Sequence, residues 1–244
     1  MAVIAIYNVK GGVGKTTIAV NLAWASAQLS ARNTLLWDLD PQGGAGFLLG
    51  EARAVREHSE AMFDRSIDPE KLIRPTAIEG LDLLPADSGL NRLDHLLLAL
   101  GKKKRLARLA ETLSKKYDRI ILDCPPVLNE VADQVVRACD ALLVPIVPSP
   151  LAMQALDDVR AHLIAHHKGH PTILPVLSMF DRRRNLHRAT HEAHPDWPVI
   201  PMASVIEQMG VRRLPVGAYA AKSPAAVAFA ALWTGVERKL LKTK

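Results

Sequence analysis

Residues 3–17 read VIAIYNVKGGVGKTT. The first part is a short, β-branched apolar run, which reads as a strand buried on both faces of a parallel sheet. The last part is rich in glycine and ends in a lysine followed by two threonines. Beyond it, Thr16 to Leu29 is rich in Ala and Leu and reads as a helix. A glycine loop between a buried strand and a helix suits an anion for three reasons. Glycines let the main chain approach phosphate oxygens, successive N–H groups point inward, and the helix N-terminus adds positive potential. Gly11, Gly12 and Gly14 form that path, with Val13 among them. In such a loop Lys15 reaches the β- and γ-phosphates, the Thr16 hydroxyl binds Mg²⁺, and Thr17 donates to the α-phosphate.

One position breaks the usual G-x-x-x-x-G-K-[ST] spacing. Val9 stands where its first glycine belongs, and a second lysine, Lys10, follows. Two more strand ends carry acids. NTLLWDLD (33–40) closes on Asp38 and Asp40, which share a face because they lie two apart on an extended chain. RIILDCPP (119–126) carries Asp123 just before paired prolines. A lone aspartate at a strand end is ordinarily a cap. Three of them on strands compatible with a phosphate loop form a pattern that chance rarely produces.

The remaining chain alternates in the same way. LDLLPAD, ALLVPIVPS, PTILPVLSMF and PVIPM read as strands. Leu90 to Leu100 and Lys102 to Lys116 read as helices split at Gly101, with Leu106, Leu109 and Leu113 on one face. Further helices fall at about Glu130 to Ala138, Leu151 to His167 and Ser223 to Leu241. The last directs Phe229, Leu232, Trp233, Val236 and Leu240 inward. Residues 44–80 give short helical pieces and a turn near Pro75. The expectation is an α/β protein of three layers: a twisted, mostly parallel sheet with helices on both faces, in a single domain over residues 1–244. At 244 residues and 49% hydrophobic, the chain can bury a sizeable core. Pro, Asp or Gly interrupts the apolar stretches, and the N-terminus lacks the length and basic residues of a leader, so the expected location is cytoplasmic. Cys124 and Cys139 make neither a disulfide framework nor a metal quartet and read as small core residues.

KGGVGKTT resembles the deviant phosphate loop of the ParA/MinD group of ATPases, where an early lysine is the signature. LLWDLDPQGG, LDLLPADSGL, YDRIILDCPP and VLSMFDRRRNLHR are similar to stretches of its ParA/Soj branch. The resemblance implies a weak, Mg²⁺-dependent ATP hydrolase, with ATP and Mg²⁺ as cofactors, that closes as a homodimer around two nucleotides. Lys10 then reaches the nucleotide of the other subunit, Asp40 orients or activates water, Asp38 lies near the magnesium shell, and Asp123 holds the ion through water. Met179 and Pro201 become contacts for the base. It also implies nonspecific binding of double-stranded DNA, nucleoid association, and a ParB-like or other adaptor that stimulates hydrolysis while a plasmid, chromosome or protein complex is segregated or positioned. No DNA-binding extension precedes the loop, which argues against operator-binding autorepression.

The sequence departs from relatives twice. Met202 replaces the arginine of their I-P-R, and YAAKSPAA keeps Lys222 but places Pro224 where an arginine is common. The first departure weakens the carry-over of base contacts, and the second removes one DNA contact.

Lys plus Arg total 31 against 25 acids, and the excess is clustered. One cluster holds Lys102, Lys103, Lys104, Arg105 and Arg108; a second holds Arg182, Arg183, Arg184 and Arg188. A third holds Arg212, Arg213, Lys222, Arg238, Lys239, Lys242 and Lys244. Any of these is at minimum a solvated face. The resemblance favours the second and third for DNA, with Lys222 in the third. The alternative reading, a MinD-like membrane-associated positioning ATPase, would use the amphipathic C-terminal tail. Its apolar residues fit core packing better, so stable membrane association is not expected. His162, His166 and His170, like His187 and His191, have helical spacing but lack the H-E-x-x-H pattern, and read as surface residues.

Overall fold

The computed structural model describes residues 1–51, 58–101, 104–166 and 171–242. Strands are β1 (Ala2–Ile6), β2 (Thr34–Asp38), β3 (Arg74–Pro75), β4 (Leu81–Leu84), β5 (Arg119–Asp123), β6 (Ala141–Ile146), β7 (Thr172–Phe180) and β8 (Val199–Pro201). They form one sheet in the order β3-β4-β2-β5-β1-β6-β7-β8, parallel except for the β3–β4 pair. The turn expected near Pro75 is instead this short antiparallel edge. Proline tolerates such a position because an edge strand leaves one side of its backbone unpaired.

Helices follow the strands: α1 (Lys15–Ser30), α2 (Gly44–Leu48), α3 (Ser59–Asp64), α4 (Leu93–Leu100), α5 (Arg105–Leu113), α6 (Glu130–Ala138) and α7 (Pro150–His166). After β7 come α8 (Asn185–Ala193), α9 (Ser204–Glu207), α10 (Met209–Arg212), α11 (Val216–Tyr219) and α12 (Pro224–Lys242). All five β1 residues are buried, as a strand covered on both faces requires. Its side chains alternate between two cores. Val3 and Ala5 join Leu93, Leu97, Leu106, Leu109 and Val135 of α4 to α6 on one face. Ile4 and Ile6 join Ile18, Leu22, Phe229 and Trp233 of α1 and α12 on the other. Each fully buried Leu, Ile or Phe contributes about 1.5–3 kcal/mol.

The C-terminal helix belongs to that second core. Phe229, Leu232, Trp233, Val236 and Leu240 are buried, and Trp233 Nε1 donates to Ser30 Oγ at 2.8 Å. Arg119 at the start of β5 clamps Glu237 through two bonds of 2.7 and 2.9 Å. The apolar face of the tail is therefore spent on packing, and no described helix is long and apolar enough to cross a membrane.

β1 lies between β5 and β6. Strand order reverses around β1, and a parallel sheet opens a crevice beyond its carboxyl ends at such a point. The phosphate loop leaves β1 there.

Candidate active site

Register assembles the acids. Ile6, the last residue of β1, is paired with Asp123 of β5, and Asp123 is paired with Asp38 of β2. The start of the phosphate loop and two carboxylates thus lie in one row across three strands. Leu39 N–H donates to the Asp123 carbonyl at 2.9 Å, which continues the ladder towards Asp40.

The loop itself is held open. Gly12 and Gly14 have φ of 70° and 87°, in the left-handed region that L side chains avoid. A Cβ on Gly14 would also stand 2.9 Å from Ser178 Oγ. Gly14 is the N-cap of α1 and no side chain caps that terminus, so its N–H groups are left for an anion. Asn8, buried at the end of β1, anchors the entrance: Nδ2 donates to the Pro145 carbonyl at 2.7 Å and Oδ1 accepts from Lys10 N at 2.9 Å. Asn8 was not among the expected site residues. Its signal was a carboxamide closing an apolar strand just before a glycine loop.

The two lysines differ. Lys15 is buried, and its Nζ donates to the Lys10 carbonyl at 3.0 Å. Burial pushes its pKa down, opposed by the charges of Asp123 and Asp40. Lys10 is half-buried at the loop entrance, and its ammonium has no ion-pair or hydrogen-bond partner among the described residues. Lys10 thus supports Lys15 through its backbone while its side chain stays uncommitted.

The acids differ as well. Asp38 is buried, yet its oxygens accept N–H groups from Asp40 and Ala45, each at 3.0 Å. Burial still pushes its pKa up to about 7. Asp123 is fully buried, and among the described residues neither carboxylate oxygen has a hydrogen-bond partner. Burial and then the Asp38 charge push its pKa up; the Thr16 hydroxyl and Lys15 counter this, without closing a bond of normal geometry. An unpartnered buried carboxylate is costly unless a cation joins it. A hard, oxygen-seeking ion such as Mg²⁺ fits the donors offered by Asp123 and Thr16. Asp40 is half-buried and accepts the Gln42 N–H at 3.0 Å.

A mainly apolar cavity of about 190 Å³ opens beside Gly14 and Thr17, with Met179 and Pro201 in its wall. Met179 reaches it from a left-handed backbone, φ 51°, where the β7–β8 register slips between Leu177 and Phe180. Met202 lines the same cavity.

The basic residues divide. Arg182, Arg183, Arg184 and Arg188 are exposed around the start of α8. Arg183 is bidentate to Asp181, with both bonds at 3.0 Å, and Arg184 is 3.8 Å from the same carboxylate. Arg188 donates to the Arg182 carbonyl and to Asn185. Arg182 and Arg183 share a groove with Pro224, and Lys222 is exposed two residues before that proline. Arg212 and Arg213 are turned onto the rings of Tyr219 and Phe47. Arg105, counted in the first cluster, is 1% exposed, because its stem packs beneath α3 and its Nε donates to the Phe63 carbonyl. Lys102, Lys103 and Lys244 lie outside the described residues, as do His170 and the side chains of His162 and His166. His187 is not a surface residue: it is buried against Phe180, and its Nδ1 accepts the Asp181 N–H at 3.0 Å. The neutral ring therefore caps the turn into α8.

Residues 1–170 match the family model described as an AAA domain. The sporulation initiation inhibitor protein Soj of Bacillus subtilis is 34% identical over 192 residues, 75% of each chain. The chromosome partitioning protein ParA of Myxococcus xanthus is 36% identical over 199 residues, 78% of this chain and 69% of that one. Among solved structures, the septum site-determining protein MinD of Pyrococcus horikoshii, complexed with Mg-ADP, superposes with a TM-score of 0.80 at 24% identity. It covers 100% of this chain and 98% of that one, and shows the common fold. With a phosphate loop bearing two lysines and an open-handed carboxylate beside it, the chain belongs to the ParA/MinD-type P-loop ATPases: it is an ATP hydrolase of the partition or positioning class.

Proposed function

We propose that two copies of this chain close face to face around two ATP molecules, and that the closed dimer binds double-stranded DNA without reading its sequence. The observation that carries this reading is the division of labour between the lysines. Lys15 is buried and tied to the loop, so it serves the protomer's own phosphates. The uncommitted Lys10 ammonium serves the partner's, in the manner of an arginine finger. Thr16 and Asp123 would hold Mg²⁺, which would supply positive charge to the phosphates. Asp38 fixes the start of α2 and the backbone of Asp40, while the Asp40 carboxylate orients water for in-line attack. Met179 and Pro201 flank the base.

DNA contact falls to Arg182, Arg183, Arg184, Arg188 and Lys222. If one protomer neutralises about three phosphates, its log–log salt slope is about −3, and its hold on DNA rests on those few contacts. A dimer doubles the contacts, and the second set binds at high effective concentration. ATP thereby switches DNA affinity without reshaping the DNA-binding surface. A ParB-like or other adaptor completes the alignment of water and releases the dimer, moving a plasmid, chromosome or protein complex along the nucleoid. DNA co-sedimentation with ATP, ADP or no nucleotide, over a salt series, tests this. Binding that requires ATP and steepens with dimerisation is expected; equal binding in all three states would refute it.

A further inference from the structure

A second concentration of positive charge lies away from the nucleotide site, and it has an interior. A cavity of about 430 Å³ is walled by α3, the 3-10 turn Pro69–Leu72 and α5. Arg65, Arg105 and Arg108 line it, against one carboxylate, Asp68. Three guanidiniums less one carboxylate leave two positive charges. None of the nucleotide-site residues lines this cavity.

Arg105 makes it more than a basic surface. It is 1% exposed, yet among the described residues its Nη1 has no hydrogen-bond partner and its Nε bonds to the Phe63 carbonyl alone. The charge of Asp64 acts on it, but that carboxylate accepts the Ser66 N–H, and no ion pair joins the two among the described residues. Burial and the Arg65 charge push the Arg105 pKa down, so the group is held where its charge is disfavoured. Arg108 lies one turn further along α5, on the same face. Arg65 caps α3 from a left-handed backbone, φ 76°, a conformation unusual for a residue with a Cβ. Asp68 is partly occupied, since its Oδ1 accepts the Glu70 N–H at 3.0 Å.

We propose that this cavity is a second anion site, which takes a phosphate dianion, either free or as the terminal monoester of a small metabolite. Planar guanidinium forks match phosphate oxygens, and the charge of the ligand matches the net charge of the wall. Arg105 lines the cavity, and its Nη1, closed off and unpartnered among the described residues, becomes a donor for a phosphate oxygen once the side chain turns towards the ligand. Duplex DNA does not suit the site, because its phosphates lie on a broad convex surface while Arg105 is recessed.

The test uses the full chain saturated with Mg-ADP, so that the phosphate loop is filled. Calorimetric titration with inorganic phosphate forms one arm and with glycerol 3-phosphate the other, at matched ionic strength. One saturable site per chain is expected in at least one arm, and the tighter arm identifies the source. Arg65 and Arg108 are exposed, so the Arg65→Gln/Arg108→Gln double variant keeps the fold. It should lower affinity at least tenfold with basal ATP hydrolysis unchanged. Arg108→Gln alone should weaken binding, and Asp68→Asn should tighten it. Absence of saturable binding in both arms, or equal affinity in the double variant, would overturn the proposal.

Discussion

The phosphate loop and the arginine turn before α8 are both cationic, yet they are built differently. Lys15 is buried, bonded to a backbone carbonyl and set beside a fully buried carboxylate. Arg182, Arg183 and Arg184 stand in solvent, and two of the three are engaged by Asp181. In the first region register and burial dictate where each charge sits. In the second, composition supplies charge and one aspartate partly cancels it. Single substitutions should therefore act in steps at the loop and by degrees at the turn.

The largest effect belongs to the lysines. Lys15→Ala should abolish nucleotide binding in a filter or calorimetric assay. Lys10→Ala should retain ADP affinity but lose hydrolysis by about 10³–10⁵-fold relative to the partner-stimulated rate, the range for a cation supplied in trans. If Lys10→Ala also lost ADP binding, the two lysines would share one role and the division drawn between them would fail.

Next come the acids. Asp38 and Asp123 both have raised pKa values in the folded chain, so without Mg²⁺ the folded state holds protons that the unfolded state has released. Stability of the nucleotide-free protein should then fall as pH rises from the ordinary carboxylate range through about 7, the value for Asp38, by up to about 1.4 kcal/mol per pH unit for each proton involved. Thermal melts across that range should show the slope, and Mg²⁺ with nucleotide should flatten it. Asp123→Asn should stabilise the Mg²⁺-free protein at pH 8 by about 1–3 kcal/mol, the cost of an unpartnered buried group, while removing the stabilisation that Mg²⁺ confers. A destabilised Asn variant would mean that Asp123 is already satisfied.

The smallest effects fall on the arginine turn. Arg182→Ala should weaken DNA binding and reduce the magnitude of the salt slope by about 1. Arg183→Ala should do less, because Asp181 already holds its fork. Asp181→Ala should tighten DNA binding by freeing two guanidiniums. Equal losses from Arg182→Ala and Arg183→Ala in a fluorescence titration would erase the distinction between free and paired charge at this turn.

The same contrast governs what could be read from the sequence. β1, β2, β5 and the loop were legible because parallel strands covered on both faces leave little choice of residue, and because glycines at φ 70° and 87° have few substitutes. Residues 44–80 were not, since α2, α3 and the β3 edge are short pieces fixed by tertiary contacts such as Phe63 against Trp37 at 6.1 Å. α8 went unrecognised for a related reason: only His187 of its residues is buried, so it carries no apolar stripe. Arg105 looked like part of a solvated run, and only its place under α3 reveals a buried charge. Asn8 was visible as a residue but not as a strut, because Pro145, its partner, is far along the chain.

The central claim is that Lys10 acts on the nucleotide of the opposite subunit, and a mixing experiment reaches it most directly. Lys10→Ala keeps its own Asp40 but lends no cation; Asp40→Ala lends Lys10 but cannot orient water. Each alone should be inactive as an ATPase while still binding ATP. Mixed in equal amounts, they should recover about a quarter of wild-type hydrolysis, because half of randomly paired two-fold dimers carry one complete site of two. A mixture no more active than its components would place Lys10 on its own subunit's nucleotide and contradict the account.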